Sequence, residues 1–483
     1  MLIIQRAKAA AHLAGPALLT IALYWPGLTA WFQLDDFAWL GLRWGIDGWR
    51  DLAWALFAPH TEGTIRPWSH AGFFLAISSI FGVRALPFHI FVFLNQFVNL
   101  GLVSAITRRI TGSAGAGFWA AILWAANSAL ATALSWIMAY NVICCATFIL
   151  LAFWLFVRYA ETGEIRYYIW QFVVFVLGFG ALEINLVYPA LAGVYALAVN
   201  RKLFLKVIPL GLVSVVYTIL HLLITHPPAT GPYRVYIDSG IFSTLWKYWL
   251  AALGPIRLAL LGIGPSRWRS YAMLFLIVAL AGFLCYRLCR RDWIVLLFPA
   301  WFLICLAPML PFRDQFLMMY LTIPTIGLAM WGGCAVARAW GSCNILARII
   351  AAAALAIYLG VQIPVAVADS RNWQRRSEST RVFVERVRGA ARQDPDALVL
   401  LTGVNDELWR NIVYYRPWGA YGLWNILLTP ESRANIHTSI EPDSLKNFFP
   451  TQQAVEQART AGKLQLLDVR NNTVRDVTSE YQR

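Results

Sequence analysis

Apolar runs long enough to cross a bilayer recur from about residue 9 to about residue 367, with short polar stretches between them. A hydrocarbon layer of about 30 Å takes roughly 20 helical residues. Backbone groups in lipid must bond within the segment, so these runs predict helices. They lack the alternation of barrel strands. Basic residues gather at the ends of the runs: Arg6/Lys8, Arg108/Arg109, Arg158 with Arg166, Arg201/Lys202/Lys206, Arg287/Arg290/Arg291 and Arg338/Arg348. Setting these clusters on the cytosolic side, as positive charge prefers, yields about eleven spans. They fall near 9–29, 88–107, 114–133, 137–158, 167–182, 185–200, 204–225, 271–287, 293–310, 315–337 and 345–367.

Two outer loops follow from this arrangement, about 30–87 and about 226–270, the second holding the proline-rich "THPPATGPYR". Apolar segments 69–82 and 241–262 lie inside them. Runs of that length are more often interfacial or re-entrant than spanning, so both are expected to stay on the outer side. Arg6 and Lys8 precede an apolar run, as in a signal peptide, but no A-x-A-like cleavage site follows. A retained first span is expected.

Residues 369–483 change character. "RNWQRRSESTRVFVERVRGAARQ" reads as a charged helix, "ALVLLTG" as a buried strand, "VNDELWRNIVYY" as a helix with Asn405 or Asp406 near its start, and "LQLLDV" as another strand. The expected architecture is an all-α polytopic membrane domain over 1–368 and a small extracytoplasmic α/β domain over 369–483.

Composition agrees. Of 483 residues, 59% are hydrophobic and 13% charged, where a soluble domain carries about 25% charged. The net charge of +15 sits in the inter-span clusters and does not point to nucleic acid. Seven cysteines lie in or beside the spans with no metal-ligand spacing. They read as small core residues, without a disulfide framework. The 23 tryptophans suit the two membrane interfaces. No P-loop, GxGxxG or HExxH occurs, and no internal repeat.

Candidate chemistry gathers on the outer side. Asp35 and Asp36, in "WFQLDDFAWL", open the first outer loop. A carboxylate beside a like charge has a raised pKa and suits general-base work; equally, one of the two suits the N-cap of the following helix. Glu183 lies 17 residues after Arg166 and 18 before Arg201, roughly 25 and 27 Å of helix. That spacing puts it at the outer turn of a helical hairpin. Arg66 offers a bidentate fork to a phosphate, or anchors at the interface. His60, in the same loop, reads as a site residue or a surface histidine. Arg313 and Asp314 occupy another outer turn, as site residues or as a local ion pair.

The order of these residues resembles the GT-C glycosyltransferases, in particular the bacterial and animal multi-span O-mannosyltransferase-like branch. The resemblance rests on "LDDFAWL", on Arg66-Pro67, on Phe81-Gly82 through His89, and on Thr107-Arg108-Arg109-Ile110-Thr111-Gly112. It continues at Glu183 with Pro189 and at Tyr320, Pro324 and Gly327, covering roughly residues 8–340. The chain departs from the pattern at "ANSALATALSW", where the branch carries H-P-x-H-x-E. It departs again at Leu182 and Met318-Met319, and it lacks the branch's tetratricopeptide repeats.

The resemblance implies a multi-pass protein, taken as residing in a bacterial inner membrane, with its N-terminus cytoplasmic and its C-terminal domain periplasmic. It implies an inverting enzyme that moves a sugar from a polyprenyl-phosphate lipid to an extracytoplasmic glycan, lipid or protein. Asp35 or Asp36 would take the acceptor's proton, and Arg66 or Arg313 would steady the leaving phosphate. Glu183 would orient the acceptor or partner an arginine. Some members need a divalent cation (Mg2+ or Mn2+, with Asp35 and Asp36 its ligands here) and others none; the motifs leave this open. The alternative is a non-catalytic transporter or scaffold for envelope assembly. A transporter would favour polar groups at mid-membrane, where these spans carry few charges.

Overall fold

The computed structural model describes residues 2–60, 64–225, 231, 233–391, 396–436, 445–470 and 473–481, with side chains from residue 14 to residue 480. The side chains of Arg6 and Lys8, residues 61–63 of the Arg66 loop, and residues 226–230 and 232 of the proline-rich loop lie outside it.

The chain is mostly helical and divides into two compact units. The first comprises Met1–Thr29, Phe57–His70 and Phe88–Trp373. Among the described residues, five helices are long and apolar enough to cross a membrane: Ala85–Thr111, Ile137–Thr162, Arg201–Ile224, Ser266–Cys289 and Ile345–Ala391. Shorter apolar helices accompany them, including Ala114–Ala126, Ile165–Gly178 and Glu183–Val199. The ends follow local chemistry. Ser113 caps Ala114–Ala126, its hydroxyl accepting from Ala116 N–H at 3.2 Å. Gly163, at φ 71°, closes Tyr140–Thr162 in the left-handed conformation that favours glycine.

The third expected span, 114–133, is broken. Asn127 ends its helix, the side-chain Oδ1 accepting from Ala129 N–H at 3.0 Å, a local bond that competes with the helical ladder. The Tyr24 hydroxyl donates to the Asn127 carbonyl at 2.8 Å. Beside the break, buried Arg257 donates to Ser128 Oγ at 2.7 Å and to Asp369 at 2.6 Å. Ala114–Ala126 packs on Pro324–Trp340 through small residues, which let backbones approach where lipid supplies no hydrophobic drive. A Cβ on Gly333 would stand 2.5 Å from Ala120 N.

The last apolar run does not stop where its hydrophobicity stops. Ile345–Ala391 is one helix of 47 residues with Pro364 inside it. The expected charged helix of the tail is its continuation. Cys144, Cys145, Cys305 and Cys334 are buried as expected, but Cys285, Cys289 and Cys343 are exposed and not core residues.

The second unit comprises Ala30–Leu56, Ala71–Pro87 and Gln374–Arg483. Its mixed sheet has the order β2-β1-β3-β4, with β1 Leu398–Thr402, β2 Ile426–Leu428, β3 Leu464–Asp468 and β4 Arg475–Asp476. β1 pairs in parallel with β2 and β3, and β4 closes one edge antiparallel to β3. Leu400, Leu464 and Leu466 form a buried cluster on this sheet. Asn405 caps Asp406–Asn411, its side chain accepting from Leu408 N–H at 2.8 Å. The helix Ala71–Phe81 has 11 residues, roughly 16 Å of helix, too short to cross a bilayer unaided.

Candidate functional site

Asp35 and Asp36 stand on the second unit. Residues 33–36 form a tight turn: Asp36 N–H donates to the Gln33 carbonyl at 3.2 Å, and the Asp36 carboxylate accepts from Gln33 N–H at 2.9 Å. Leu34, inside the turn, has φ 52°, a conformation that costs a non-glycine residue on the order of 1–3 kcal/mol. Trp31 and Phe37 pack at 5.5 Å between ring centroids. Further anchors tie the segment to the tail. The Ser377 hydroxyl accepts from Trp31 N–H at 2.9 Å, and Trp44 Nε1 donates to the Ala420 carbonyl at 3.2 Å.

The two carboxylates differ. Asp36 is fully buried and holds the turn, while Asp35 is half-buried. Asp35 occupies the N-cap position of Asp36–Gly41 but makes no side-chain capping bond. The capping expectation is therefore met in position and not in bonding.

Arg66 and Glu183 meet in the first unit. Arg66 Nε reaches both Glu183 oxygens at 2.9 and 3.0 Å, and Nη2 reaches Oε2 at 2.7 Å. This placement is built by the residues beside Arg66. Trp68 N–H donates to the Gly180 carbonyl at 3.0 Å and Trp68 Nε1 to the Leu177 carbonyl at 2.8 Å. The Ser69 hydroxyl donates to the Ala181 carbonyl at 2.6 Å. The hairpin turn 177–182 is thus laced to residues 68–69, and Glu183 begins the short helix that leaves it. Gly180 is required there, because a Cβ would lie 2.2 Å from Trp68 Nε1. On the far side of the turn, Asn185 Nδ2 donates to the Phe175 carbonyl at 2.7 Å.

The side chains of the pair keep 17% and 16% of their surface open. Burial alone would raise the Glu183 carboxyl, but the Arg66 charge and hydrogen bonds outweigh it and hold the carboxyl below its ordinary value. His70, one turn from Arg66, is held well below the ordinary histidine range, by burial first and then by Arg66 and His60. It stays neutral, with the Asn141 amide 3.4 Å from Nε2.

Two expectations change in form. The Arg66 fork that the sequence offered to a phosphate is occupied by Glu183, leaving Nη1 outside the three contacts. Arg313 does not pair with its neighbour Asp314. It bonds Asp238 at 3.0 Å, with its guanidinium carbon 3.7 Å from the Tyr236 ring centroid. Asp314 is exposed. His60 is half-buried, and its N–H donates to the Thr64 carbonyl at 3.0 Å.

Trp68, Ser69, His70 and Asp238 escaped the sequence reading. So did Tyr217, which stacks on Phe179 at 4.0 Å and faces His221 at 5.8 Å. A tryptophan and a serine directly after Arg-Pro were visible, but no local pattern names carbonyls more than 100 residues away as their partners. Among the described residues no three His, Cys, Asp or Glu side chains group as metal ligands. Asp35 and Asp36 are the carboxylates that a divalent cation would use here, with one Asp36 oxygen held by the Gln33 N–H.

No curated protein matches the chain by sequence. Residues 66–225 match the family described as dolichyl-phosphate-mannose-protein mannosyltransferase, a stretch that opens on Arg66 and includes Glu183. Among solved structures, the fold resembles the apo oligosaccharyltransferase of Archaeoglobus fulgidus, with TM-score 0.52 and 11% identity over 95% of this chain and 69% of that one. It also resembles ArnT of Cupriavidus metallidurans bound to undecaprenyl phosphate, with TM-score 0.51 and 11% identity over 96% of this chain and 93% of that one. The GT-C resemblance of the motifs is borne out in the family match over residues 66–225 and in the likeness of fold.

Proposed function

We propose that the protein transfers a sugar from a polyprenyl-phosphate donor to an acceptor hydroxyl at the extracytoplasmic face, inverting the anomeric carbon. About eleven spans carry the site, with the N-terminus in the cytosol and the tail outside. Asp35 is the general base. The acceptor oxygen attacks the anomeric carbon, its proton passes to Asp35, the glycosyl–phosphate bond breaks, and polyprenyl phosphate leaves. Asp36 positions Asp35 by holding the turn.

Arg66 contributes the N–H groups of Nη1, with Glu183 fixing the guanidinium plane. A donor held rigid in a partly dry site stabilises developing phosphate charge without reorganising. Arg313, held between Asp238 and Tyr236, is a second cation for the same phosphate. The donor class is supported by ArnT, which binds undecaprenyl phosphate and of which this chain covers 93%, and by the Archaeoglobus fulgidus AglB complex with a dolichol phosphate. The observation that carries the reading is the Arg66–Glu183 fork, formed inside the matched family region.

The test is transfer of radiolabelled sugar from membrane lipid to acceptor by the purified protein. Wild type should transfer and the Asp35→Asn/Asp36→Asn double variant should not. Undiminished transfer by that variant would remove the mechanism.

A further inference from the structure

A cavity of about 150 Å³ opens in the first unit, at the end of the bundle that carries the basic clusters. Thr111, Arg287, Asp292, Phe298, Cys334 and Arg338 line it. Helix Ala85–Thr111 supplies Thr111 from its last turn, Ser266–Cys289 supplies Arg287, and Pro324–Trp340 supplies Arg338. The turn after Cys289 brings Asp292 back: Arg291 stands at φ 57°, and Asp292 N–H donates to the Arg287 carbonyl at 3.1 Å. Asp292 then pairs with the Arg287 guanidinium.

Two observations point to an anion. Arg287 Nε is buried and finds no hydrogen-bond partner among the described residues, although its Nη2 is paired. Arg338 has no carboxylate partner among the described residues. Two guanidiniums against one carboxylate leave the cavity with a net positive charge, and a buried donor without an acceptor is costly to the fold. An incoming anion would satisfy both.

The surroundings suggest which anion. Tyr286, Trp293 and Trp340 are exposed around the same helix ends, and exposed Trp and Tyr mark the membrane–water boundary. Basic pockets between helices at that depth take lipid headgroups. The volume admits a phosphate and not a sugar chain.

We propose that this cavity binds a phosphate group, presented by an anionic membrane lipid and held by Arg287 and Arg338. The site is separate from the Arg66–Glu183 pair and does not depend on the function proposed above. Its role is to pin the ends of three helices to one lipid.

The experiment uses the full chain in nanodiscs of phosphatidylcholine with and without phosphatidylglycerol, with retained lipid counted by native mass spectrometry. Wild type is expected to keep phosphatidylglycerol in preference to phosphatidylcholine. Arg338→Gln should keep it about tenfold less well, as suits one lost charge-assisted contact, and Arg338→Lys should keep more than Arg338→Gln. Arg338 is exposed and pairs with no carboxylate among the described residues, so an unchanged melting temperature of Arg338→Gln in phosphatidylcholine verifies its fold. A parallel arm adds inorganic phosphate. Displacement of the lipid from wild type confirms the phosphate site and assigns it to the free ion; failure to displace assigns it to the headgroup. Equal retention of phosphatidylglycerol by wild type, Arg338→Gln and Arg338→Glu overturns the proposal.

Discussion

Arg66 and Glu183, 117 residues apart, are joined by three N–O contacts of 2.7 to 3.0 Å. Neither charge could stand there alone. Removing one member of a buried pair strands the other and costs about 3–5 kcal/mol, while removing both is often close to neutral. Because about one sixth of each side chain stays open, the low end of that range is expected. Glu183→Gln and Arg66→Met should each lower the unfolding midpoint in detergent more than the Arg66→Met/Glu183→Leu double variant does. Strictly additive losses would show that the two side chains do not act as a pair.

Gly180 decides whether that pair can form. Its missing Cβ is the space taken by the Trp68 indole, and Trp68 is one of the residues that hold the hairpin turn. Gly180→Ala should destabilise by about 1–3 kcal/mol, as overpacking does, and should weaken sugar transfer through loss of the Arg66 geometry. Shrinking the indole restores the space, so Gly180→Ala/Trp68→Leu should lose less than the sum of its parts. Thermal melts of the four proteins check this.

What the sequence disclosed follows the range of the physics involved. Asn405 could be placed at a helix start because capping acts within a turn. Glu183 could be placed at a hairpin turn because helix rise and bilayer thickness are both fixed lengths. Its partner could not be named, since nothing local to Arg66 encodes a contact so far along the chain. The strands β2 and β4, of 3 and 2 residues, are too short to carry a period. The continuity of Ile345–Ala391 was hidden for another reason: hydrophobicity ends at the membrane, but hydrogen bonding along a helix does not. Asn127 shows the reverse, a polar side chain interrupting a run whose hydropathy alone promised an unbroken span.

Acid should act on the site in two stages. The His70 ring has a folded value well below its usual one of about 6.5. Below about pH 6.5 the unfolded chain binds a proton that the fold refuses, so stability falls as pH falls, by up to about 1.4 kcal/mol per pH unit. Glu183 also has a lowered folded value. Its contribution is complete above the unfolded carboxyl value of about 4.3 and is lost as pH falls through the folded one. His70→Asn should therefore flatten the stability curve between about pH 6.5 and pH 5, while Glu183→Gln leaves that limb in place. Denaturation midpoints measured across this window distinguish the two groups. A histidine limb that survives in His70→Asn would assign it elsewhere.

The adjacent aspartates should separate by phenotype. Asp36 holds the Gln33 N–H and is fully buried; Asp35 is half-buried and bears no capping bond. Asp35→Asn should lower transfer by roughly 10²–10⁴-fold, the range of a lost general base, and cost less melting temperature than Asp36→Asn. Asp36→Asn should lower the melting temperature as well, because the turn then loses a charged acceptor, an interaction worth about 1.5–3 kcal/mol. Melting and transfer measured on the same preparations check the split, and equal stability of the two variants would cancel the assignment of Asp36 to the turn.

The neighbouring glycines 332 and 333 offer the sharpest packing test. Both lie in Pro324–Trp340, where alanine is ordinarily preferred to glycine by about 0.5–1 kcal/mol. At Gly332 a Cβ would meet the tip of the Leu123 side chain at 2.8 Å, and that tip can turn away. At Gly333 it would meet the backbone, Ala120 N at 2.5 Å and Ala116 O at 2.7 Å, and backbone cannot turn away without parting the helices. Gly332→Ala should therefore be neutral or slightly stabilising, while Gly333→Ala should lose about 1–3 kcal/mol. One methyl group, moved by one residue, changes the sign because the neighbour it meets changes from a rotamer to a main chain. Thermal unfolding of the two variants in the same detergent reads the difference, and equal melting temperatures would mean that these helices are not packed as closely as their small residues allow.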